Sequence, residues 1–441
     1  MSSYPCKVRE KLLNDIQEMS KTPEIFVKNP DADFTRHRKL GFVELLYLLI
    51  SMQSGSTGHE LLKFFEYDKG TITCSGFVQQ REKLLPSTMR QLLITFNSHF
   101  PFRTINNKYR LIACDGSDFN IARNPNDLDT FNPPTGRSQK GFNSLHVTAL
   151  YDLMEKRYLD CTIQGSRHKN EFRAICDLSD RYLHNQGEVP VFIGDRGFAC
   201  YNFFAHAHEN NTCFLVRAKD INTKRMLGVH ELPDELDTTV ELILMRTQSK
   251  KKRTRPDLDE HYRYISSDVA FDYIQHGSDA EYPLFLRIVR VEVSEGIFEN
   301  LITNIPADDV SLESLKDWYN LRWGIETSFR DLKHTIGTLN FHSKKSEFIM
   351  QEIFARMILY NFCSIITLYV VISKRGSKYF HQVNFSMAMK ICIHFIRLKC
   401  RERPPDVVGL ISRYTLPIRP LRNYARQHRF QLPSSFCYRY A

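Results

Sequence analysis

The first hundred positions carry hydrophobic residues at a helical period. The run 42–52 (FVELLYLLISM) is strongly apolar and predicts a buried helix. A Ser/Gly break at 54–58 and a turn at 68–73 separate two shorter helical patterns, over 59–67 and 75–84. The sequence therefore predicts a helical domain over residues 1–100.

After Pro101 the pattern changes to the period of β-strands. Strands are predicted over 110–115, 144–153 and 157–163. A helix over 170–183, a strand over 189–194, a helix over 201–209 and a strand over 213–217 follow. This is an α/β order, with a mixed sheet covered by helices, and it is also the element order of the ribonuclease H fold.

Residues 221–307 separate this core from its expected last helix. They contain four strand-like runs (VELILMR, EHYRYISS, YPLFLRIVRVEV and LITNI) and a loop at 246–255 with six basic residues and no acidic one. Because long loops without structure are uncommon, we predict an inserted β subdomain. The ribonuclease H-like core then comprises 101–220 and 308–375, and residues 376–441 form a basic helical C-terminal region.

Composition supports a globular chain of several domains. A length of 441 residues exceeds what one core usually holds, and the 42% apolar and 25% charged residues are average values. Eleven scattered cysteines without a C-x-x-C pair, and a charged N-terminus without a signal peptide, lead us to expect a cytoplasmic protein. The most apolar run, 357–372, is shorter than the about 20 residues of a membrane span, so we expect a core helix and no membrane partner.

Positive charge is concentrated near the C-terminus. The net charge is +10, and the segment 397–441 holds ten basic residues against two acidic ones. This tail also carries the aromatic residues Tyr414, Tyr424, Phe430, Tyr438 and Tyr440. Arginines on phosphates and rings stacked on bases suit a nucleic acid, although a solvated, partly disordered tail has the same composition.

The two short N-terminal helices are also compatible with a helix-turn-helix. In that interpretation the helix at 75–84 offers Gln79, Gln80, Arg81 and Lys83 to a DNA groove. Helix pairs with polar outer faces are far commoner than DNA readers, so this pattern alone is weak.

Two aspartates follow predicted strands. Asp115 ends a strand in LIACDGSDF and Asp195 ends another in VFIGDRGF, and a glycine follows each closely. Carboxylates at the carboxyl ends of neighbouring strands can converge at one edge of a sheet. Aspartates at strand ends are often only turn or cap residues, so neither is strong evidence alone.

A helix is predicted from Ser311 to about His334. At about 100° per residue, one stripe about 80° wide carries Tyr319, Arg322, Glu326, Arg330 and Lys333. A core-facing seam beside it holds Trp318, Leu321, Ile325, Phe329, Leu332 and Ile336. The concentration of one carboxylate among three cations favours a functional site, and an exposed ion-pair ladder such as Glu326 with Arg330 is the alternative.

The spacing Tyr319-x2-Arg322-x3-Glu326-x6-Lys333 resembles the Y-R-E-K signature of bacterial insertion-sequence transposases of the insertion-sequence-four type. The flank WYNLRWGIETSFRDLK, the G-x-L-x-x-H-S run at 337–343 and LYNF at 359–362 are similar too. The resemblance extends from about residue 36 to the basic tail. It implies a DDE transposase with a ribonuclease H-like core and a β insertion before the glutamate.

By this resemblance, Asp115 within DGS, Asp195 within DRG and Glu326 look like the three catalytic acids and metal ligands. Phosphodiester exchange needs an activated water or 3′-hydroxyl and a neutralised leaving oxygen, which two divalent ions about 3.5–4 Å apart supply together. Three acids without His or Cys suit hard Mg²⁺, for which Mn²⁺ can substitute. We expect Asp115 to bridge both ions and each of the other acids to complete one.

The resemblance also implies DNA contacts from the glutamate helix. Arg322, Arg330 and Lys333 are expected to face phosphates of the transposon end, with a hydrogen bond from Tyr319 to the same backbone, which positions DNA without reading its sequence. The N-terminal helices and the basic tail are then expected to recognise the terminal inverted repeats. The expected partners are double-stranded DNA, as inverted repeats and as target, and a second copy in a dimeric synaptic complex at the bacterial nucleoid.

One departure from the family concerns the second strand. Members that form a hairpin hold a flipped base with aromatic residues of the insertion, often Trp, whereas the tryptophans here are Trp318 and Trp323 of the glutamate helix. Candidates for stacking in the insertion are Tyr262, Tyr264, Phe271 and Tyr273. The hairpin route and direct hydrolysis both stay open.

Three functional hypotheses are compatible with the sequence. The first is a cut-and-paste DNA transposase that acts as a dimer on paired ends. The second is an inactive transposase-derived DNA-binding protein, against which the intact Asp115, Asp195, Glu326 and Lys333 argue. The third is a ribonuclease H-like nuclease, which needs neither the helical N-terminal domain nor the basic tail.

Overall fold

The computed structural model describes residues 3–53, 55–134, 140–337, 341–372, 378–398 and 403–419. The helices of this part are α1 (Tyr4–Met19), α2 (Phe42–Ser51), α3 (Thr57–Phe64), α4 (Cys74–Glu82), α5 (Thr88–Ser98), α6 (Glu171–Asp180), α7 (Tyr201–Glu209), α8 (Asp220–Leu227), α9 (Leu312–Leu321), α10 (Trp323–Arg330), α11 (Ser346–Tyr369), α12 (Phe385–Arg397) and α13 (Val407–Arg413). The strands are β1 (Tyr109–Ile121), β2 (Phe131–Asn132), β3 (Phe142–Asp152), β4 (Arg157–Gly165), β5 (Val189–Gly194), β6 (Cys213–Ala218), β7 (Leu236–Met245), β8 (Tyr262–Tyr264), β9 (Glu281–Ser294), β10 (Ile297–Thr303), β11 (His381–Val383) and β12 (Thr415–Pro417).

One mixed sheet forms the centre of the molecule. Strands β4, β3 and β1 are antiparallel neighbours, and β5 and β6 continue the sheet parallel to β1. Helix α6 connects β4 to β5, and α7 connects β5 to β6. The order β4-β3-β1-β5-β6 is that of the ribonuclease H fold, so the predicted α/β core behind a helical N-terminal region is confirmed.

The strands predicted within 221–307 are present, but they extend this sheet. Strand β10 pairs antiparallel with β6, and β9, β7 and β8 follow outwards in that order. Hydrophobic alternation identifies a strand without identifying its neighbour, so the sequence could not show that the insertion shares the sheet of the core. The short strands β11 and β12 pair separately.

Four of the six cations of the basic loop at 246–255 form ion pairs within the fold. Lys252, Arg253 and Arg255 form ion pairs with Asp279, Asp259 and Glu241, respectively. Arg246 donates hydrogen bonds to backbone carbonyls of the segment 266–274. The loop therefore contributes less free positive charge than its composition indicates.

Helix α11 passes through the core. It packs against α2, α5, α12 and β4. Among the described helices it alone is long and apolar enough to match a membrane span by length and composition, and 94% of that apolar window is buried inside the protein. The prediction of a buried core helix is confirmed, and the helix begins earlier, at Ser346, than the apolar run does.

The groove-facing role predicted for Arg81 on α4 is wrong. Arg81 is 1% exposed and its guanidinium forms an ion pair with Glu352 of α11 at 2.9 Å. Gln80 is also buried, whereas Gln79 is exposed. A buried arginine is usually compensated by an acid, and the local pattern of α4 gives no sign of a partner that distant in sequence.

The predicted glutamate helix is divided into α9, α10 and a π-helical turn at Asp331–Thr335. Arg322 between the two helices keeps helical backbone angles, so the chain direction is nearly continuous. The π turn contains more residues per turn than an α-helix, which changes the phase of the stripe after Arg330. The core-facing seam is confirmed except at Leu321, which is 45% exposed.

Candidate active site

The pairing of β1 with β5 brings two of the predicted acids together. The parallel ladder ends where Cys114 pairs with Gly194. The residues that follow this last pair are Asp115 and Asp195. They are therefore neighbours, since adjacent strands lie about 4.8 Å apart. Each carboxylate accepts a nearby backbone N–H, of Gly116 at 2.8 Å and of Gly197 at 2.7 Å.

Asp115 lies within its strand, and the prediction that it ends the strand is wrong. Strand β1 continues to Ile121 because β3 pairs with it along that whole stretch. What ends at Asp115 is the parallel ladder with β5. The break in the sequence pattern after Cys114 marks this change of neighbours and the less buried positions that follow it.

Helix α10 carries the third acid, Glu326, above the sheet. Ile325 and Phe329 are buried, and the Ser328 hydroxyl donates a hydrogen bond to the Tyr158 hydroxyl of β4 at 2.8 Å. A Cβ atom at Gly324 would lie 3.2 Å from the Leu153 side chain, so glycine permits the close approach of the helix to the sheet. These contacts hold the glutamate near Asp115, where the parallel ladder of β1 with β5 ends.

Arg322 connects the acids. Its guanidinium donates a hydrogen bond to Glu326 at 2.9 Å, and its Nη1 lies 4.0 Å from the Asp115 carboxylate. One planar cation therefore spans two of the three predicted acids. The alternative ladder of Glu326 with Arg330 does not form, and Arg330 is exposed without a hydrogen bond or ion pair in the part of the chain described.

The three acids share one electrostatic environment. Burial raises the pKa of Asp115, the Gly116 N–H and Arg322 oppose the increase, and the carboxylates of Asp195 and Glu326 add to it. The pKa of Asp115 is raised to about 6. A half-buried carboxylate beside two others is a group that a divalent cation would stabilise in its charged form.

Lys333 lies on the same side of β1 as the acids. Its ammonium donates a hydrogen bond to the Ser117 hydroxyl at 2.7 Å and lies 4.8 Å from the centre of the Phe119 ring. Residues 115, 117 and 119 share one face because side chains alternate along a strand. Burial lowers the pKa of Lys333.

The predicted stripe is not uniform in exposure. Tyr319 and Arg322 are each 5% exposed, and the guanidinium of Arg322 lies 5.7 Å from the centre of the Tyr319 ring. Glu326 and Lys333 are half-buried, and Arg330 is exposed. Of the stripe, Arg330 is thus the most open to a DNA backbone, and the contacts expected from the other residues stay predictions.

A second polar layer on the opposite face of β1 was not identified from the sequence. His146 of β3 pairs with Asp118 at 2.6 Å and with Glu171, at the start of α6, at 3.0 Å. Burial alone would lower the pKa of His146, but these two carboxylates outweigh it and raise that pKa. The period-two alternation in DGSD is the signal that separates this layer from Asp115.

A Cβ atom at Gly116 would lie 2.5 Å from the His146 ring, so this layer also explains the glycine after the first acid.

Of the four aromatic residues predicted in the insertion, Tyr264 is exposed, Tyr273 is half-buried and the other two are buried. Tyr262 and Phe271 are 7% and 5% exposed, so their predicted role in stacking is wrong. Tyr273 packs against Phe271 and Tyr282. Tyr264 is 47% exposed and remains available.

Most of the predicted basic tail, including residues 399–402 and 420–441, lies outside the described residues. Arg397, at the end of α12, stabilises the fold. It forms an ion pair with buried Glu60 at 2.7 Å and donates hydrogen bonds to the Ser51 carbonyl. Arg413 is exposed.

The arrangement suits a metal-assisted reaction at phosphate. Three carboxylates supply oxygen donors at one end of a parallel ladder, with a cation on either side. Among the described residues, no group of three or more acidic, His or Cys side chains lies close enough together to hold a metal ion as it stands, and this includes the three predicted acids. An open set of carboxylates is the type of site in which Mg²⁺ keeps several waters.

The fold is of the ribonuclease H-like class. The chain matches the family of transposase DDE domains over residues 106–362, more than half of its length. It therefore belongs to the DDE transposases and is a DNA transposase. The matched segment contains Asp115, Asp195 and Glu326.

No curated protein matches the sequence closely enough to be counted as a relative. Among solved structures, the chain is similar to piggyBac transposase in a synaptic complex with hairpin DNA. The sequence identity is 10% and the TM-score is 0.42, and the alignment covers 96% of this chain and 87% of that chain.

Proposed function

We propose that this DNA transposase is of the insertion-sequence-four type with the Y-R-E-K signature. It cleaves the ends of an insertion sequence and joins them to a target by a cut-and-paste route, with Asp115, Asp195 and Glu326 as catalytic acids. The observation that carries the proposal is the end of the β1–β5 ladder beside a glutamate that shares the Arg322 guanidinium with Asp115.

The donor set fits two Mg²⁺ ions, with Mn²⁺ as a substitute. The three side chains offer only carboxylate oxygens, which hard divalent cations prefer. The raised pKa of Asp115, caused by burial and by the other two acids, supports a cation at this position. When bound, such ions lower the pKa of the attacking water or 3′-hydroxyl and neutralise the leaving oxygen.

The protein's own groups hold the acids in place. The N–H groups of Gly116 and Gly197 fix one oxygen each of Asp115 and Asp195, which leaves the other oxygen free to bind. Arg322 orients Glu326 and lowers the repulsion between the carboxylates. These fixed donors reduce the rearrangement needed when substrate binds.

Positive groups around the acids are suited to phosphates. Arg330 is exposed and free of internal ion pairs in the described part of the chain, so it is proposed to contact the DNA backbone directly. Lys333 is proposed to contact the phosphate nearest the acids, on the face where Ser117 holds it. Tyr319 and Arg322, which are more buried, are proposed to contact the same stretch of DNA backbone from the side of the protein core.

The partners proposed are the terminal inverted repeats, the target DNA and a second copy of the chain in the synaptic complex. The protein is proposed to work at the nucleoid in the bacterial cytoplasm. The nine cysteines among the described residues are all free thiols, which supports a reducing compartment.

The experiment that tests the function is cleavage of a labelled transposon end with and without Mg²⁺. Glu326→Gln keeps the size of the side chain and removes a metal-binding charge, so cleavage should fall by several orders of magnitude while end binding remains. Glu313→Gln, on the exposed side of α9, is the matched control and should cleave like the parent.

If Glu326→Gln cuts as well as the parent, Glu326 is a structural partner of Arg322 and the three-acid proposal is wrong. If the parent binds end DNA but never cuts it, the hypothesis of an inactive DNA-binding derivative holds instead. Family membership does not favour that hypothesis or a plain ribonuclease H-like nuclease.

A further inference from the structure

A polar pocket lies in the N-terminal domain, apart from the acids. It has a volume of about 290 Å³ and opens between the segment 31–40 and the C-terminal half of α4. Its lining includes Asp31, Phe34, Arg36, Arg38, Gln80 and Lys83. The volume is near the lower end for small-ligand pockets, which suits one compact polar group.

The cations of this pocket have no internal anionic partner. Arg36 and Arg38 are exposed, and neither forms a hydrogen bond or ion pair with the described residues. The Lys83 ammonium lies 5.2 Å from the centre of the Phe34 ring and pairs with no carboxylate in the same part of the chain. Three unpaired cations against exposed Asp31 make the pocket a site for an anion.

Gln80 adds a second, independent observation. Its side chain is buried, at 8% exposed, and its Oε1 atom has no hydrogen-bond partner within the described residues. A buried amide without a partner is costly, and it faces the pocket. Its neighbour Arg81 points away into the buried ion pair with Glu352, so α4 divides its polar residues between the core and the pocket.

We propose that this pocket binds one nucleotide unit of the DNA substrate, with the phosphate among Arg36, Arg38 and Lys83 and the edge of the base on Gln80. A glutamine amide donates and accepts at once, which is the pattern that pairs with adenine. The polymer is taken to be DNA on the strength of the proposed function, whereas the anion site rests on the pocket alone. In this proposal the N-terminal domain recognises DNA through the pocket, and not through a helix inserted into a DNA groove.

The first test measures binding of the full chain to a short duplex containing the transposon end over a series of salt concentrations. Removing two phosphate contacts in Arg36→Ala/Arg38→Ala should weaken binding at least about tenfold and reduce the salt slope by about two. The control Lys7→Ala/Lys219→Ala removes the same charge from exposed lysines outside the pocket and should keep the parental slope. Equal slopes in both double variants would overturn the proposal.

The second test separates base contact from phosphate contact. Gln80→Leu should reduce the preference for the end over a scrambled duplex by about tenfold and leave the salt slope unchanged. Gln80→Asn, which keeps an amide on a shorter side chain, should retain part of that preference. A full preference in Gln80→Leu would exclude the contact between Gln80 and the base.

Inorganic phosphate, added at constant ionic strength, tests the alternative source of the anion. If phosphate stabilises the parent chain against heat but not Arg36→Ala/Arg38→Ala, while both bind the duplex equally, the pocket holds a free anion and the DNA assignment is wrong. A parent chain that binds the duplex but does not cleave it would refute the proposed function and leave the anion site standing.

Discussion

The most sharply defined structural prediction concerns the buried ion pair between α4 and α11. Arg81 and Glu352 are both 1% exposed, and the same carboxylate accepts the backbone N–H of His342 at 3.0 Å and lies 3.1 Å from its ring nitrogen. Burial alone would raise the pKa of Glu352, but Arg81 and His342 outweigh it, so this pKa is well below the ordinary value. Glu352→Gln would leave the Arg81 charge buried without its counter-ion.

Removing one partner of a buried pair costs about 3–5 kcal/mol of unfolding free energy. The sign with pH follows from the lowered pKa of Glu352. The contribution of ionised Glu352 to the free energy of unfolding should be complete at neutral pH and persist down to the ordinary pKa of glutamate, about 4.3. It should disappear as the pH falls further, through the lower pKa of Glu352 in the folded state.

The assay is urea unfolding followed by tryptophan fluorescence, with Glu82→Gln as the control. Glu82 forms an ion pair with Lys345 at 2.7 Å between the same two parts of the fold, but both side chains are more than half exposed. The control should unfold like the parent, because exposed pairs contribute little. If Glu352→Gln loses no more stability than Glu82→Gln, the pair is not a determinant of how the N-terminal helices dock on α11.

Three further outcomes are expected. Because the pKa of Asp115 is raised to about 6, its metal-binding carboxylate is lost below that pH, so Mn²⁺ affinity measured by titration calorimetry should fall there and stay constant well above it. Gly116→Ala places a Cβ atom 2.5 Å from the His146 ring and should reduce cleavage while end binding persists, whereas Gly58→Ala, with an ordinary 3.6 Å contact, should cleave normally. Lys333→Ala should lose DNA affinity first, with cleavage recovered at low salt and high protein concentration; a cleavage rate that stays low at saturation would contradict a phosphate-binding role.

Local pattern was sufficient for most of the core. The strand at 189–194 and the helix at 201–209 have the bounds that the sequence predicts. Strand β1 continues to Ile121, past its predicted end at Asp115, and the predicted glutamate helix is divided, whereas the other core elements differ by at most about three residues at their ends. Periodicity encodes which face of an element is buried, and in a ribonuclease H-like order that nearly fixes the sheet.

Other features depend on contacts far apart in the chain. Nothing near Arg81 indicates that Glu352 will neutralise it, and the break in the pattern after Cys114 does not show that one neighbouring strand stops there while the other continues. The helical wheel placed Tyr319 beside Arg330, but tertiary packing buries the first and exposes the second. Spacing therefore identified the candidate acids, whereas their surroundings required the fold.

We propose that the three acids would hold two metal ions, with Asp115 contributing to both and Asp195 and Glu326 to one each. Counting bound Mn²⁺ by electron paramagnetic resonance, in the presence of transposon-end DNA, tests it directly. The parent should bind two ions per chain, Glu326→Gln one, and Asp115→Asn none at the same Mn²⁺ concentration. Two ions bound by Asp115→Asn with parental affinity would contradict the account.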